Sequence, residues 1–348
     1  MQEAPLFDDS APLYAPIVPM TPDAELRRLG ERLPRGIYLG SSSWNFPGWR
    51  GIVWGKLSSV TGLAERGLTA YAAYPVFRTA GIDRSYYRPL PTATYRQFAD
   101  EVPDGFRFLV KAPQSVTDSQ LRHPGTRRTE ANPHYLDLKE AVETFVLPAA
   151  EGLGEKLGVL IFEMAQLPRE LVRGPMNAHR AIDEITSFLS ELPLEHNGLK
   201  LTYGVEMRTH AIFTRRYIRA LRPTGVRPVI GIHPTLPSVM RQINALKYLD
   251  APDVESGPWQ LKGDAVVRWS LADGGTFDGL KRDWAPFSAL QEPNLVNREA
   301  IAWLMDLAHQ SGVRGFAVAN NKAEGCSPLT MRAIAESIEV LDRQSRLK

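Results

Sequence analysis

The sequence predicts an α/β fold: a (β/α)8 TIM-type barrel with a short N-terminal extension. Three observations carry that expectation. Eight short runs rich in β-branched and aromatic residues recur along the chain, each is followed by an amphipathic helical stretch, and 348 residues suit one large domain. Strand-then-helix units in succession require parallel strands joined by helical crossovers. Eight such units close a barrel of about 250 residues, and long loops take up the rest. An open doubly wound sheet is the competing topology, but no G-x-G-x-x-G follows the first strand. Residues 1–35 read as the extension and 36–348 as a single barrel domain.

The elements follow in chain order. In the extension, Thr21-Pro22 reads as N-cap and first helical position of a short helix reaching residue 33. Strands are expected at 37–43 (IYLGSSS), 77–83 (FRTAGID), 106–111 (FRFLVK) and 158–163 (GVLIFE). Four more are expected at 201–207 (LTYGVEM), 228–233 (PVIGIH), 265–270 (AVVRWS) and 314–320 (RGFAVAN). The helical stretches between them are 61–74, 92–101, 135–149, 175–191, 213–221, 237–248, 297–311 and 327–342.

Composition is that of an ordinary globular chain, 43% hydrophobic and 23% charged with net charge +2, so any electrostatic partner must be read locally. The single cysteine, Cys326, permits no intrachain disulfide and fits a reducing compartment. The acidic, proline-bearing N-terminus lacks the charged-then-apolar order of a signal peptide. The most apolar run, LGVLIFEMAQL, is interrupted by Glu163 and too short to cross a bilayer. The expectation is a cytoplasmic protein with no membrane partner; the oligomeric state is not legible.

In this fold, active sites gather at the C-terminal ends of the strands. There the sequence places Trp44, Asp83, Lys111, Glu163, Glu206 with Arg208, His233, Arg268 and Asn320-Asn321 in turn. Side chains alternate along a strand, so Thr202, Gly204, Glu206 and Arg208 share one face while Leu201, Tyr203, Val205 and Met207 share the other. The apolar set suits the helices, which turns the polar set into the barrel. Thr79, Gly81 and Asp83 repeat the pattern on the second strand. Carboxylates buried there need cations, and Arg208 and Lys111 are the candidates. A mere strand-fastening ion network is the structural alternative.

The segments IYLGSSSWNFPGWRG, YYRPLPTATYRQFADEVPDGFRFLVKAP, GVEMR and NNKAEGCSPLT resemble the domain of unknown function 72 family, also called YecE-like. The matching segments are spread over nearly the whole chain. The resemblance implies a TIM-type barrel and names no activity. Where the family resembles E-I-N at the second strand, this chain has Gly81-Ile82-Asp83, and where it resembles Q-L-P-P after the fourth, this chain has Glu163-Met164. Strands two and four feed the same interior layer, so Glu163 is expected to fill space vacated at Gly81. The departures also mean that the resemblance does not carry a relative's substrate over to this chain.

Loops after the seventh and eighth strands frequently hold phosphate in such barrels. Here they are Asp273-Gly274-Gly275-Thr276 and Lys322 to Pro328, with Ser327 as N-cap, Pro328 as first helical residue and Gly325 as a flexible neighbour. Asp273 and Glu324 weigh against an anion. RHPGTRR, with Arg122, His123, Arg127 and Arg128, adds basic charge above the same mouth. Trp44 and Tyr87 are expected to stack on a ligand, whereas Trp49 is expected to pack under its own loop. Cys326 reads as structural.

No H-x-H, H-E-x-x-H, G-x-S-x-G or Walker sequence occurs. No cofactor is required, and Mg2+ or Mn2+ on Asp83 and Glu206 stays open. The first functional expectation is an enzyme, a hydrolase or lyase, acting on an anionic phosphate-bearing ligand: a nucleotide, a sugar phosphate or, with weaker support, nucleic acid. Arg208, Arg268 and Lys111 would hold the anion. Glu206 would be general base or acid, with Asp83 and Glu163 beside it. Trp44, Tyr87, His233, Asn320, Asn321, Lys322, Gly325 and Ser327 would line the site. The alternatives are a glycoside hydrolase using Glu163 and Glu206 at a separation of roughly 5–10 Å, or a non-catalytic small-molecule binding protein.

Overall fold

The apolar runs pair edge to edge, all parallel. The computed structural model describes residues 16–122, 129–253 and 257–346. Its barrel strands are β1 (Ile37–Ser41), β2 (Phe77–Ile82), β3 (Arg107–Lys111), β4 (Leu157–Met164), β5 (Tyr203–Met207), β6 (Arg227–Pro228 and Ile230–Ile232), β7 (Ala265–Trp269) and β8 (Gly315–Ala319). The sheet starts with the first piece of β6, runs through β5, β4, β3, β2, β1, β8 and β7, and ends with the second piece of β6. Only Val229 separates the two pieces, and its amide donates to Val205 O at 2.9 Å. The sheet's two edges are therefore consecutive segments of one strand, and the ring closes on itself. Pro228 has no N–H to give, which suits it to the point where the strand changes neighbours.

Helices occupy the crossovers. The stretch expected at 61–74 is divided at Gly67 into Val60–Arg66 and Leu68–Ala72. The stretch expected at 135–149 becomes Leu138–Ala141, a wider turn over Val142–Val146, and Leu147–Leu153. Pro148 explains the widening, because it cannot donate to the turn before it. The N-terminal helix is Ala24–Arg32, and its cap is Asp23, whose carboxylate accepts from Leu26 N at 2.7 Å. The expected cap at Thr21 is thus corrected by two residues: a carboxylate immediately before the first turn reaches the free amides, and Thr21 does not. The described part of the extension is sewn to the barrel. Leu26, Leu29 and Leu33 are buried, and Arg32 pairs with Glu339 on the C-terminal helix at 2.7 Å.

Two apolar layers result. The larger lies between strands and helices. The smaller fills the barrel with Leu109, Val159, Ile161, Val229, Val266, Phe316 and Val318, and Tyr38 stacks on Phe316 at 4.7 Å. The interior is a packed core and not a pore. Charged groups lie above it at the C-terminal mouth and below it at the N-terminal floor. No helix among the described residues is long and apolar enough to cross a membrane.

Candidate functional site

Strand register puts Glu163 of β4 beside Glu206 of β5. Two carboxylates on adjacent strands repel unless cations stand between them. Three cations do so. Arg268, two residues before Ser270 on β7, reaches Glu206 Oε2 at 2.5 Å and Glu163 Oε2 at 2.6 Å through Nη1, and Asp83 Oδ1 at 3.1 Å through Nη2. Arg208 Nη2 contacts Glu206 Oε1 at 2.7 Å, Glu163 Oε2 at 3.1 Å and Ser270 Oγ at 3.1 Å. Lys111 Nζ pairs with Glu163 Oε1 at 3.0 Å and sits 3.7 Å above the Tyr86 ring. The tally is three cations against three carboxylates, so the array is balanced.

Depth grades the array. The Glu206 side chain is 0% exposed, that of Arg268 6%, that of Glu163 15% and that of Asp83 32%. Burial alone would raise the Glu163 pKa, but Lys111, Arg208 and Arg268 outweigh it and hold the carboxyl well below 4.5. Burial likewise opposes the charge on Arg268, and Glu206, Asp83 and Glu163 together reverse that, pushing its pKa up. Gly231 of β6 is tight against the deepest acid, since a Cβ there would lie 3.0 Å from Glu206 Oε1. His233 follows two residues later on the same face. Its pKa is lowered, by burial first and then by Arg208, with Glu163 partly offsetting. Thr235 N donates to His233 Nδ1 at 3.2 Å, which leaves the ring hydrogen on Nε2. Tyr87 stands on the rim, 73% exposed, and burial, Asp83 and Glu163 raise its hydroxyl pKa.

Of the residues expected in the site, Asp83, Lys111, Glu163, Glu206, Arg208 and Arg268 converge, with His233 and Tyr87 beside them. The others go elsewhere. Trp44 is 2% exposed and packs edge-on to Phe98 at 5.4 Å, with the Arg84 guanidinium 5.0 Å from its ring. The inward reading fails because β1 ends at Ser41, so alternation does not extend to position 44. Asn321 Oδ1 accepts from Trp49 Nε1 at 3.0 Å and from Ser327 N at 2.9 Å, and Ser327 Oγ donates to Ala319 O at 2.9 Å. Gly325 has φ +109°, and a Cβ there would be 2.5 Å from Ala289 O. Most polar groups of this loop are satisfied by the protein itself, the buried Asn321 Nδ2 being an exception. Lys322 Nζ lies 3.8 Å from the Phe277 ring and 3.2 Å from Asn320 Oδ1, and burial lowers its pKa to about 8. Glu324 is spent on Arg298, at 2.8 Å. His123, Arg127 and Arg128 lie outside the described residues.

Glu163 does reach the mouth, but it does not fill the place of a side chain at Gly81. A Cβ there would meet Ser42 Cα and Ser42 O, each at 3.0 Å, so backbone following β1 occupies that space. Sequence reasoning also missed Ser270, and of the neighbouring pair Tyr86-Tyr87 it chose Tyr87 for the site. Ser270 was accessible to it, being two residues beyond Arg268 on the same strand face. Tyr86 sits in the turn Arg84–Tyr86, where strand periodicity has ended. The place a divalent cation would take between Asp83 and Glu206 is filled by the Arg268 guanidinium. The only group of three His, Cys, Asp or Glu ligand atoms close enough to hold a metal among the described residues is His134, Asp137 and Glu140, at the start of the helix Leu138–Ala141, and none of the three belongs to the charged array.

Solved structures share this architecture. A DUF72 family protein from Thermotoga maritima MSB8 superposes with TM-score 0.56 at 17% identity, covering 87% of this chain and 99% of that one. A DUF72 family protein from Enterococcus faecalis V583 gives TM-score 0.55 at 14% identity, covering 87% of this chain and 95% of that one. Identities this low speak to fold alone. No match was found among curated proteins. The family profile described as "Protein of unknown function DUF72" matches residues 38–347, nearly the full barrel with its charged mouth, and the chain belongs to that family.

Proposed function

We propose that the C-terminal mouth binds a small phosphate-bearing ligand and acts on it as a hydrolase or lyase. The convergence of Lys111, Arg208 and Arg268 on one point carries this reading. Because three carboxylates already balance them, an incoming anion must take over an existing contact. Asp83 is the least buried carboxylate and holds only Arg268 Nη2, at 3.1 and 3.3 Å. It stands where a ligand oxyanion would go, and displacing it opens the site. Glu206 is sealed and Glu163 is held ionised, so they position Arg268, Arg208 and Lys111. Glu206 being sealed, the acid/base role expected of it passes to His233, which is neutral at pH 7 and, with Nδ1 taken by Thr235 N, offers Nε2–H as a donor to developing negative charge.

The test is thermal-shift screening of wild type and Asp83→Ala against nucleotides, sugar phosphates and neutral sugars. Asp83→Ala is expected to bind phosphate-bearing ligands more tightly, by about tenfold, since a competing carboxylate is removed. Stabilisation by neutral sugars alone, or weaker phosphate binding in the variant, would sink the proposal. For nucleic acid, affinity must also fall steeply with salt.

The glycoside hydrolase reading has one observation in its favour. Glu163 Oε2 and Glu206 Oε2 both bond Arg268 Nη1, which bounds their separation to about 5 Å, near that of a retaining pair. It lacks a protonated acid: Glu163 is held ionised and Glu206 has no access to substrate.

A further inference from the structure

We propose that the N-terminal floor of the barrel is a second binding site, for a small phosphate-bearing molecule with at least two negative charges. A cavity of about 800 Å3 opens there, a size that accommodates small-molecule ligands. Its walls are the residues from which the strands begin: Arg107 opens β3, Leu157 opens β4, Arg227 opens β6, and Asp264 and Arg314 stand just before β7 and β8. The apolar layer around Phe316 separates it from the mouth, so the two ends of the barrel are distinct sites.

Charge decides what the cavity can hold. Six cations line it, Arg107, Lys200, Arg222, Arg227, Lys262 and Arg314, against the three acids Glu155, Asp250 and Asp264. Two of the acids are already committed. Asp250 takes Arg227 through both oxygens, and Asp264 takes Arg314. Four cations then face Glu155 alone. Arg107 donates to the backbone carbonyls of Asp104 and Phe106, and Arg222 to that of Tyr248. Neither Lys200 nor Lys262 has an ion-pair partner among the described residues. Like charges gathered in one concavity focus a positive potential, which an anion relieves. The mouth, being balanced, has no such surplus.

The frame is fixed in place. Asn197 and Gly198 adopt φ +50° and +79°, the geometry of a tight hairpin turn, and this hairpin carries Lys200 at the rim. The Arg227–Asp250 pair forms a rigid back wall, with side chains 10% and 2% exposed. Leu157, Leu199, Leu221 and Leu249 supply apolar surface for the body of the ligand.

Calorimetric titration of the full chain with inorganic pyrophosphate at low ionic strength tests this. Binding is expected, weakened about tenfold by Lys200→Ala or by Lys262→Ala, nearly abolished in the double variant, and retained in Lys262→Arg. Both lysines are exposed, so the variants keep the fold. Lys111→Met, in the mouth, is expected to leave this event unchanged. Absence of binding, or binding untouched by the double variant, overturns the proposal. Loss in Lys111→Met alone assigns pyrophosphate to the mouth and also overturns it, while supporting the separate reading of that end.

Discussion

Arg268→Met is expected to lower unfolding free energy at pH 7 by about 3–5 kcal/mol, because removing one partner of a buried ion network strands the others. Here three carboxylates are stranded at once. Arg268 touches Asp83, Glu163 and Glu206, and the last has no exposed surface from which water could compensate. Arg208 and Lys111 remain but cannot cover all the carboxylate oxygens. Arg268→Lys keeps the charge and loses the fork that lets Nη1 and Nη2 serve different carboxylates, so rescue is expected to be partial.

The penalty carries a pH signature. In the wild type the folded-state pKa of Glu163 is held well below 4.5, so its ion pairs contribute stability above that value, and the contribution is lost as pH falls through the folded-state value. Arg268→Met relieves part of that depression, leaving less to lose on acidification. The gap between the two proteins should therefore be full at pH 7 and narrower at about pH 3, below the ordinary carboxylate range. Urea denaturation at both pH values checks this. A gap that stays constant, or one below about 1 kcal/mol at pH 7, would mean that the array does not bear on folding.

Trp49→Ala is expected to cost a similar amount, about 3–5 kcal/mol, by a different route. Trp49 is 0% exposed and touches three aromatic rings, those of Phe46 at 5.0 Å, Trp54 at 6.1 Å and Tyr71 at 6.3 Å. Removing the indole opens a cavity that these rings cannot refill without moving. Its Nε1 also holds Asn321 Oδ1, which in turn receives Ser327 N, so the loop after β1 is tied to the loop after β8. Trp49→Phe removes the N–H donor and one of the two fused rings, so a smaller cost of about 2 kcal/mol is expected. No titrating group is involved, so both costs should be flat with pH, in contrast to Arg268→Met. Thermal denaturation of the two variants across that range separates the mechanisms.

These effects explain how a balanced mouth and an unbalanced floor can coexist in one barrel. The mouth array is dense, deep and balanced in charge, so it fastens five strands while leaving Asp83 at its exposed edge. At the floor, ion pairs use two of the acids and leave cations over. A ligand at the mouth must displace a carboxylate, whereas a ligand at the floor completes a deficit.

The sequence by itself determined the eight strands, their parallel order and the inward face of β5. Alternation is local: Gly204 and Glu206 must face opposite Tyr203, Val205 and Met207, and the helices admit only the apolar set. Asp83, Lys111 and Glu163 were legible for the same reason, since each stands within one residue of its strand's end and in phase with the interior. Only tertiary structure decided the side taken by Trp44, because β1 stops three residues earlier and periodicity says nothing beyond a strand's end. It also decided the fate of Asn321, Gly325 and Ser327. Amides and hydroxyls that suit a ligand suit a neighbouring loop equally well, and proximity of Trp49 and Ala319 settled the matter. Charge balance at either end was likewise invisible, since which acid meets which cation depends on residues brought together from across the whole ring.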